Sequence, residues 1–337
     1  MNSSRLNIQT SYPIECGLGI GQFHMTEIFG AKLTGRKVAI VTDREVQGYY
    51  GTAFSMQFES IGITPSQIIV DGSQISKTLD AVKVVYEGLT DAGFGKSDLL
   101  FALGGGGVMD IAGFAAATYL EGIPFVRVPT SLISMIDSGV APYAYLNFQS
   151  HKDRIAVPSH PIHTIIDTTY LNTLPPKYRA GGLARVIQLG LTSNTELISM
   201  LMADRLDMDG LITRSIETMF SSDGKYRSCE SFGEEIASSI EGHFRFLKYT
   251  HGEALALGMT AMYPDKFLDT LYQRFGLPLK VEGVTKDTLL KRIVRDFSVT
   301  GDPLSFMAIS EPGNARIHTL PMPDAVACFE QYLSSIC

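Results

Sequence analysis

The segment FALGGGGVMD, residues 101–110, constrains the fold more than any other. An apolar run that ends in four glycines and reopens on small residues reads as strand, tight turn and helix. That geometry aims backbone N–H groups at whatever lies before the helix, and can hold a pyrophosphate without side-chain charge. Glycine suits such a turn because a Cβ would block close approach. The pattern GGGGVMD lacks the third glycine of GxGxxG. Two readings therefore stay open on the turn alone. One is a dinucleotide cradle made by Gly104, Gly105, Gly106 and Gly107 with Asp110 behind it; the other is a tight turn with no ligand.

The flanks read as an α/β unit. Strands are expected at Lys37–Thr42, closed by Asp43, and at Gln67–Val70, Asp98–Leu103, Phe125–Val128 and Thr164–Ile166. Between them, Asp80–Gly93 repeats Val82, Val85 and Leu89 on one helical face, and Met109–Leu120 is a helix of small residues. Strands alternating with helices imply a parallel sheet with right-handed crossovers. The texture changes at Leu174-Pro175-Pro176, beyond which Gly181–Leu191, Glu196–Arg205 and Leu211–Phe220 read as helices and strands are few. A chain of 337 residues is long enough for two domains. We expect a Rossmann-like parallel-sheet domain over 1–168 and a mostly α-helical domain over 169–337.

Composition excludes several classes. With 45% hydrophobic residues, 19% charged residues and a net charge of −7, the chain reads as an ordinary globular protein and gives no sign of nucleic acid as a partner. Cys16, Cys229, Cys328 and Cys337 form no CxxC pair, so neither a disulfide framework nor a structural zinc site is indicated. No leader-like apolar segment opens the sequence, and no apolar run reaches the roughly 18 residues of a membrane span. A cytoplasmic setting is expected, with a small-molecule substrate and no membrane partner.

The glycine-turn segment, the stretch YLEGIPFVRVPTSLISMIDS (119–138), IDTTYLNTLPPKYRAGGLARVIQLGL (166–191) and HGEALALGM (251–259) together resemble the dehydroquinate synthase-like sugar phosphate cyclases. The similarity runs from about residue 37 to about 260. IPFVRVPTSLI, HKDRI and RSIETM look closest to the sedoheptulose 7-phosphate cyclase branch, which includes the 2-epi-5-epi-valiolone synthases. The resemblance implies NAD as cofactor and a homodimer. It implies that Asp43, at a strand end, faces the adenosine ribose. Lys77 falls on a family cofactor contact, although Ser73 replaces the usual glutamate. Gly105, Gly106, Gly107 and Asp110 fall on the pyrophosphate turn, and Thr130, Ser131, Asp137, Ser138, Lys152 and Thr173 on further dinucleotide positions.

The family oxidises one hydroxyl transiently with NAD, eliminates phosphate, re-reduces the ketone and closes a ring, with zinc or cobalt polarising the oxygens. Here that half of the site is rewritten. Arg185 stands in GGLAR where the family has the metal-binding glutamate of GLAE, and Glu234 stands for a ligand histidine, leaving His251 of HGE. A guanidinium beside a metal ion adds like-charge repulsion. The expectation is no metal, with Arg185 supplying fixed positive charge and pairing with Glu234. Phosphate-binding cations are also depleted. Tyr143 and Gln188 replace lysines, Glu121 replaces an arginine, and Asp153 follows Lys152 where asparagine is usual, while Lys152 and Arg227 remain. The candidate catalytic set is Lys152, Arg185, Arg227, Glu234 and His251, the last as general base. Three functions stay in play: a metal-free enzyme retaining transient NAD oxidation, acting on a polyol or ketose-derived substrate in carbasugar or secondary metabolism; an inactive NAD-binding relative with a structural or regulatory role; and a conventional metal-dependent cyclase.

Overall fold

In the computed structural model, residues 3–5, 12–149, 151–220, 232–297 and 302–337 are described. Two compact units separate between Leu174 and Pro175. That junction falls after residue 168 for a local reason. The 3-10 turn Thr168–Asn172 is held to the first unit: the Asp167 carboxylate accepts from Thr169 N (3.0 Å) and Gly19 N (2.9 Å).

The first unit is built on strands β1 (Ser3–Arg5), β2 (Ile14–Gly17), β3 (Val38–Thr42), β4 (Ser66–Ile69), β5 (Leu99–Gly104), β6 (Phe125–Pro129) and β9 (His163–Asp167). They lie in the order β1-β2-β9-β6-β5-β3-β4, with β1 antiparallel at one edge and the remaining pairs parallel. β3, β5, β6 and β9 are buried along their whole length, as strands covered on both faces must be. Two further strands, β7 (Tyr143–Phe148) and β8 (His151–Pro158), form a separate antiparallel ribbon with an irregularity between Leu146 and Phe148. The helix Leu79–Asp91 buries Val82, Val85 and Leu89, and Thr78 caps it by accepting from Ala81 N.

The helix after β5 spans Gly106–Thr118 rather than beginning at Met109, because the glycines themselves make its first turn. It gives way at Tyr119–Glu121, where Leu120 and Glu121 take left-handed φ of 50° and 65°.

The second unit is helical: Pro176–Thr192, Glu196–Met202, Met208–Met219, Glu234–His243, His251–Met262, Lys266–Phe275, Lys286–Phe297 and Met322–Leu333. The first of these starts earlier than the sequence pattern suggests, because Pro176 is preorganised for a helix's first position. It is buried without interruption from Ala180 to Thr192 and forms the centre of the unit. Against expectation, the unit also holds a hairpin of β10 (Leu304–Ile309) and β11 (Ala315–Leu320). β11 is mostly exposed and carries no apolar alternation to betray it. Glycines set the close approaches: a Cβ on Gly252 would collide with the backbone of Gly181, and one on Gly258 with the Gly233 carbonyl. Gly233 is itself left-handed, with φ of 86°. Met219 is core. Cys16, Cys328 and Cys337 are free thiols, and Cys229 lies outside the described residues. Among the described residues no helix is long and apolar enough to cross a membrane.

Candidate active site

The strand order places the glycine turn at a topological switch point. β3 and β5 are neighbours, and the chain leaves β3 for β4 on one side and β5 for β6 on the other, so the two crossovers diverge and open a crevice at the strands' carboxyl ends. Thr42 and Leu103 pair in register there, one residue before Asp43 and Gly104. The helix Gly106–Thr118 starts at this rim with Gly105 as its N-cap and no side-chain cap, so its first N–H groups face the crevice.

The four glycines differ in what requires them. None has positive φ. A Cβ on Gly104 would press on Val108, and one on Gly107 would run into the Gly72 carbonyl, so protein packing demands both. Gly105 has φ of −76°, open to any residue, and a Cβ there would meet nothing nearer than Ser131 Oγ at 3.7 Å. At Gly106 the nearest atom would be Ser138 Oγ at 3.3 Å. Neither backbone strain nor packing demands a bare Cα at Gly105.

Several other residues singled out in the sequence gather at the same rim. Asp43 N-caps the next turn through Oδ1, accepting from Val46 N at 2.9 Å. Its Oδ2 would lie 3.1 Å from a Cβ on Gly72. Thr130 is buried, and its N–H donates to Gly104 O (2.8 Å). Ser131 opens the helix Leu132–Ile136 in a reciprocal cap with Ser134, and Asp137 and Ser138 follow that helix. The Thr173 hydroxyl lies 2.5 Å from the Tyr50 hydroxyl.

Lys77 and Asp110 behave differently. Lys77 Nζ lies 2.7 Å from Asp110 Oδ2 and 2.7 Å from Asp153 Oδ1, with Lys77 only 4% exposed. Burial opposes the ammonium, but the two carboxylates outweigh it and raise its pKa. Burial raises the Asp110 carboxyl above the ordinary range; Asp153 adds to this and Lys77 opposes it. Asp110 also accepts from Tyr145 N at 3.1 Å. The lysine is thus engaged within the protein. Lys152 is half-buried on β8.

In the second unit, Arg185 is 1% exposed and donates through Nη1 to Gln188 Oε1 one turn along the same helix. Gln188 Nε2 in turn donates to Phe232 O at 2.7 Å. His251 opens the helix His251–Met262, which Thr250 and Glu253 cap reciprocally. Its Nδ1 lies 3.2 Å from Glu241 Oε2 and its Nε2 lies 3.5 Å from Glu234 Oε1. Glu234 and Glu241 stand seven positions apart on one helix, two turns, so both face the imidazole. The Glu241 side chain is 1% exposed, whereas those of His251 and Glu234 are 22% and 23% exposed. This arrangement resembles an oriented base, with a buried carboxylate on one nitrogen and an accessible carboxylate beside the other. Carboxylates flank both ring nitrogens, and Arg185, which by sequence stands at the family's third ligand position, is a cation. These residues do not fit a divalent ion, and among the described residues no group of three or more His, Cys, Asp or Glu is placed to hold one. Arg227 lies outside the described residues.

The family profile described as 3-dehydroquinate synthase N-terminal matches residues 67–180, a span running from β4 across the glycine turn into the second unit. The 3-dehydroquinate synthase of Streptococcus pneumoniae strain JJA is 30% identical over 315 residues, covering 86% of this chain and 88% of the relative. The chain belongs to the dehydroquinate synthase-like family of sugar phosphate cyclases.

Solved structures of this family share the architecture. A 2-epi-5-epi-valiolone synthase, ValA from Streptomyces hygroscopicus subsp. jinggangensis 5008 with NAD+ and Zn2+ bound, matches with a TM-score of 0.82 at 20% identity, covering 97% of this chain and 98% of its own. A 2-deoxy-scyllo-inosose synthase complexed with carbaglucose-6-phosphate, NAD+ and Co2+ matches with a TM-score of 0.78 at 16% identity, covering 99% and 100%. At these identities the likeness speaks for the fold. It agrees with the α/β-then-helical architecture expected of a sugar phosphate cyclase. Glu241 was not singled out in the sequence, although its two-turn spacing from Glu234 is a usable signal. The partnership of Asp153 with Lys77 has no local signal, because it joins residues 76 positions apart. Glu121 is exposed and pairs with Lys96, and Tyr143 is 43% exposed. A cavity of about 520 Å³ lined by Ile14, Glu15, Glu27 and His163 opens at the opposite rim, where β2 and β9 begin, and is unrelated to the cradle.

Proposed function

We propose that this chain is an NAD-dependent member of the family that acts on a polyol or ketose-derived substrate without the family's metal. The observation that carries the reading is Gly105, a bare Cα at the mouth of a switch-point helix with no demand from packing or backbone. NAD, when bound, supplies transient oxidation of a substrate hydroxyl. The chain's own residues supply the rest. Gly105, Gly106 and the N–H groups of the following helix hold the pyrophosphate, and Asp43 takes the ribose hydroxyls. His251 moves the proton, with Nδ1 fixed by Glu241 and Nε2 left to exchange beside Glu234. The Arg185 guanidinium, steadied by Gln188, provides the permanent positive charge. Lysines are missing at positions 143 and 188, so phosphate on the substrate is weakly held. We further place the chain with the sedoheptulose 7-phosphate cyclase branch, on the segments IPFVRVPTSLI, HKDRI and RSIETM. A cytoplasmic homodimer belongs to the same proposal, and light scattering should return twice the 36.8 kDa chain mass.

The cradle is tested by Gly105→Ala and Gly107→Ala together. The first is expected to abolish NAD+ binding in calorimetry while leaving the melting temperature within about 2 °C, because its methyl enters open space. The second should lower the melting temperature through its clash with Gly72. NAD+ binding by Gly105→Ala at wild-type strength would refute the reading. Elemental analysis of the same preparation should find no stoichiometric zinc or cobalt; one ion per chain would restore the conventional metal-dependent cyclase.

A second reading, an NAD-binding relative without turnover, is favoured by the rewritten second unit, where Arg185 and Gln188 are coupled in place of a ligand and a cation. Phosphate release from sedoheptulose 7-phosphate, and reduced-nicotinamide absorbance across a panel of polyols and ketoses, separate the two. Silence in both assays favours the second.

A further inference from the structure

Beside the glycine turn, three successive backbone carbonyls are fastened by three buried side chains. After the helix Leu132–Ile136 the chain turns through Asp137 and Ser138 into Gly139, Val140 and Ala141. Asp137 O accepts from Val140 N (2.8 Å) and Ala141 N (2.9 Å), which closes the turn on itself. Gly139 O then accepts from the Thr164 hydroxyl at 2.9 Å, Val140 O from the Tyr12 hydroxyl at 2.6 Å, and Ala141 O from Arg127 Nη1. All three donors are buried. Arg127 and Thr164 pair in register on β6 and β9, and Tyr12 leads into β2, the next strand along. Arg127 reaches the cradle helix as well: its Nη2 donates to Ser159 Oγ (3.3 Å), which donates to Gly113 O (3.0 Å). Packing fixes the turn from another side, since a Cβ on Gly139 would collide with Ser134 O and press on Pro129. A turn anchored this way presents the Ser138 side chain in one place. Its hydroxyl is the nearest atom to where a Cβ on Gly106 would lie, at 3.3 Å, and so stands beside the second cradle glycine.

We propose that Tyr12, Thr164 and Arg127 are positioning residues for dinucleotide binding: through the carbonyls of residues 139–141 they hold the Ser138 hydroxyl where it donates to a pyrophosphate oxygen beside Gly106. The inference rests on the reading that the glycine turn holds a dinucleotide. Its physical basis is preorganisation. A hydroxyl already fixed gives up little conformational freedom when the anion arrives, whereas one on a loosened turn must first be ordered. A hydrogen bond to a charged oxygen is also strong enough for a small misplacement to register in affinity. Tyr12→Phe and Thr164→Val each delete one hydroxyl and keep the shape of the side chain, and either suffices should the other fail to fold. Thr164→Ser keeps the hydroxyl.

The test is calorimetric titration of the full chain and its folded variants with NAD+, ADP-ribose and adenosine. Ser138→Ala is expected to weaken NAD+ and ADP-ribose about tenfold, and Tyr12→Phe and Thr164→Val about three- to tenfold each. Thr164→Ser should stay within about twofold of wild type, and adenosine, which lacks the pyrophosphate, should bind all of them alike. The decisive arm is the double variant Tyr12→Phe/Ser138→Ala, which should bind NAD+ no more weakly than Ser138→Ala alone, because the clamp acts through that hydroxyl. Wild-type affinity for NAD+ in Tyr12→Phe and Thr164→Val overturns the positioning role and leaves the cradle standing. So does a loss from Tyr12→Phe that persists undiminished in the Ser138→Ala background, or an equal loss for adenosine, since either would be a general loosening of the fold. If folded wild type binds neither NAD+ nor ADP-ribose, the cradle reading falls and this proposal falls with it.

Discussion

Lys77→Met should destabilise the first unit by about 3–5 kcal/mol at neutral pH. The side chain is nearly the same length, so little packing is lost. What is lost is the ammonium that lies 2.7 Å from both Asp110 and Asp153. Asp110 is 6% exposed and already has a pKa above the ordinary range from burial, so it cannot recover that interaction from water. Without Lys77 the buried Asp110 carboxyl should take up a proton more readily in the folded state than in the unfolded state. Its cost is then absent below the unfolded carboxyl pKa, near 4, and grows as pH rises. Urea unfolding followed by circular dichroism at pH 5 and pH 7 should therefore show a smaller loss at the lower pH. A loss under about 1 kcal/mol at pH 7 would mean that solvent reaches the carboxylates. The double variant Lys77→Met/Asp110→Asn should recover part of the loss, since the two sites are in contact.

Glu235→Gln should remove a pH dependence from the second unit. Burial is the main force on this carboxyl, a bond to its own backbone opposes it and Glu234 adds a smaller push upward, and its pKa rises from 4.5 to about 8. A carboxyl whose folded pKa lies above its unfolded value favours folding while it is protonated. That contribution is complete below about 4.5 and is lost as pH climbs through about 8. The loss across the interval is on the order of a few kcal/mol. Glutamine keeps the shape and cannot ionise, so the variant should match wild type near pH 4.5 and be the more stable protein at pH 9. Unfolding curves for the two proteins that stay parallel from pH 4.5 to pH 9 would contradict the shift.

The first unit was largely legible in the sequence because parallel strands buried on both faces have little room for polar residues. β3 and β5 fall within a residue of the expected Lys37–Thr42 and Asp98–Leu103. The β7–β8 ribbon was not seen, since β8 alternates half-buried and exposed residues over a run that includes Lys152, Asp153 and Arg154. The helix Glu196–Met202 ends before the expected Arg205 where Ala203 turns extended, a change with no composition signal. In the candidate site the glycines announced themselves, but the distinction between Gly105 and Gly107 depends on Gly72, a neighbour only in space. The partnership of Asp153 with Lys77 leaves no trace in local spacing, because it joins distant segments, and such partners decide how each charge is used.

The glycine contacts of the second unit bear on how such a protein can change its chemistry. The helix His251–Met262 meets its neighbours without side chains at Gly252 and Gly258, against Gly181 and Gly233. Those four positions act as fixed bolts: a single added methyl at Gly252 or Gly258 has nowhere to go. A mutagenized library screened for new substrates should therefore come back empty at these glycines. Its survivors should concentrate at side chains such as Glu234 and Gln188, which can be exchanged while the frame that carries His251 stays put.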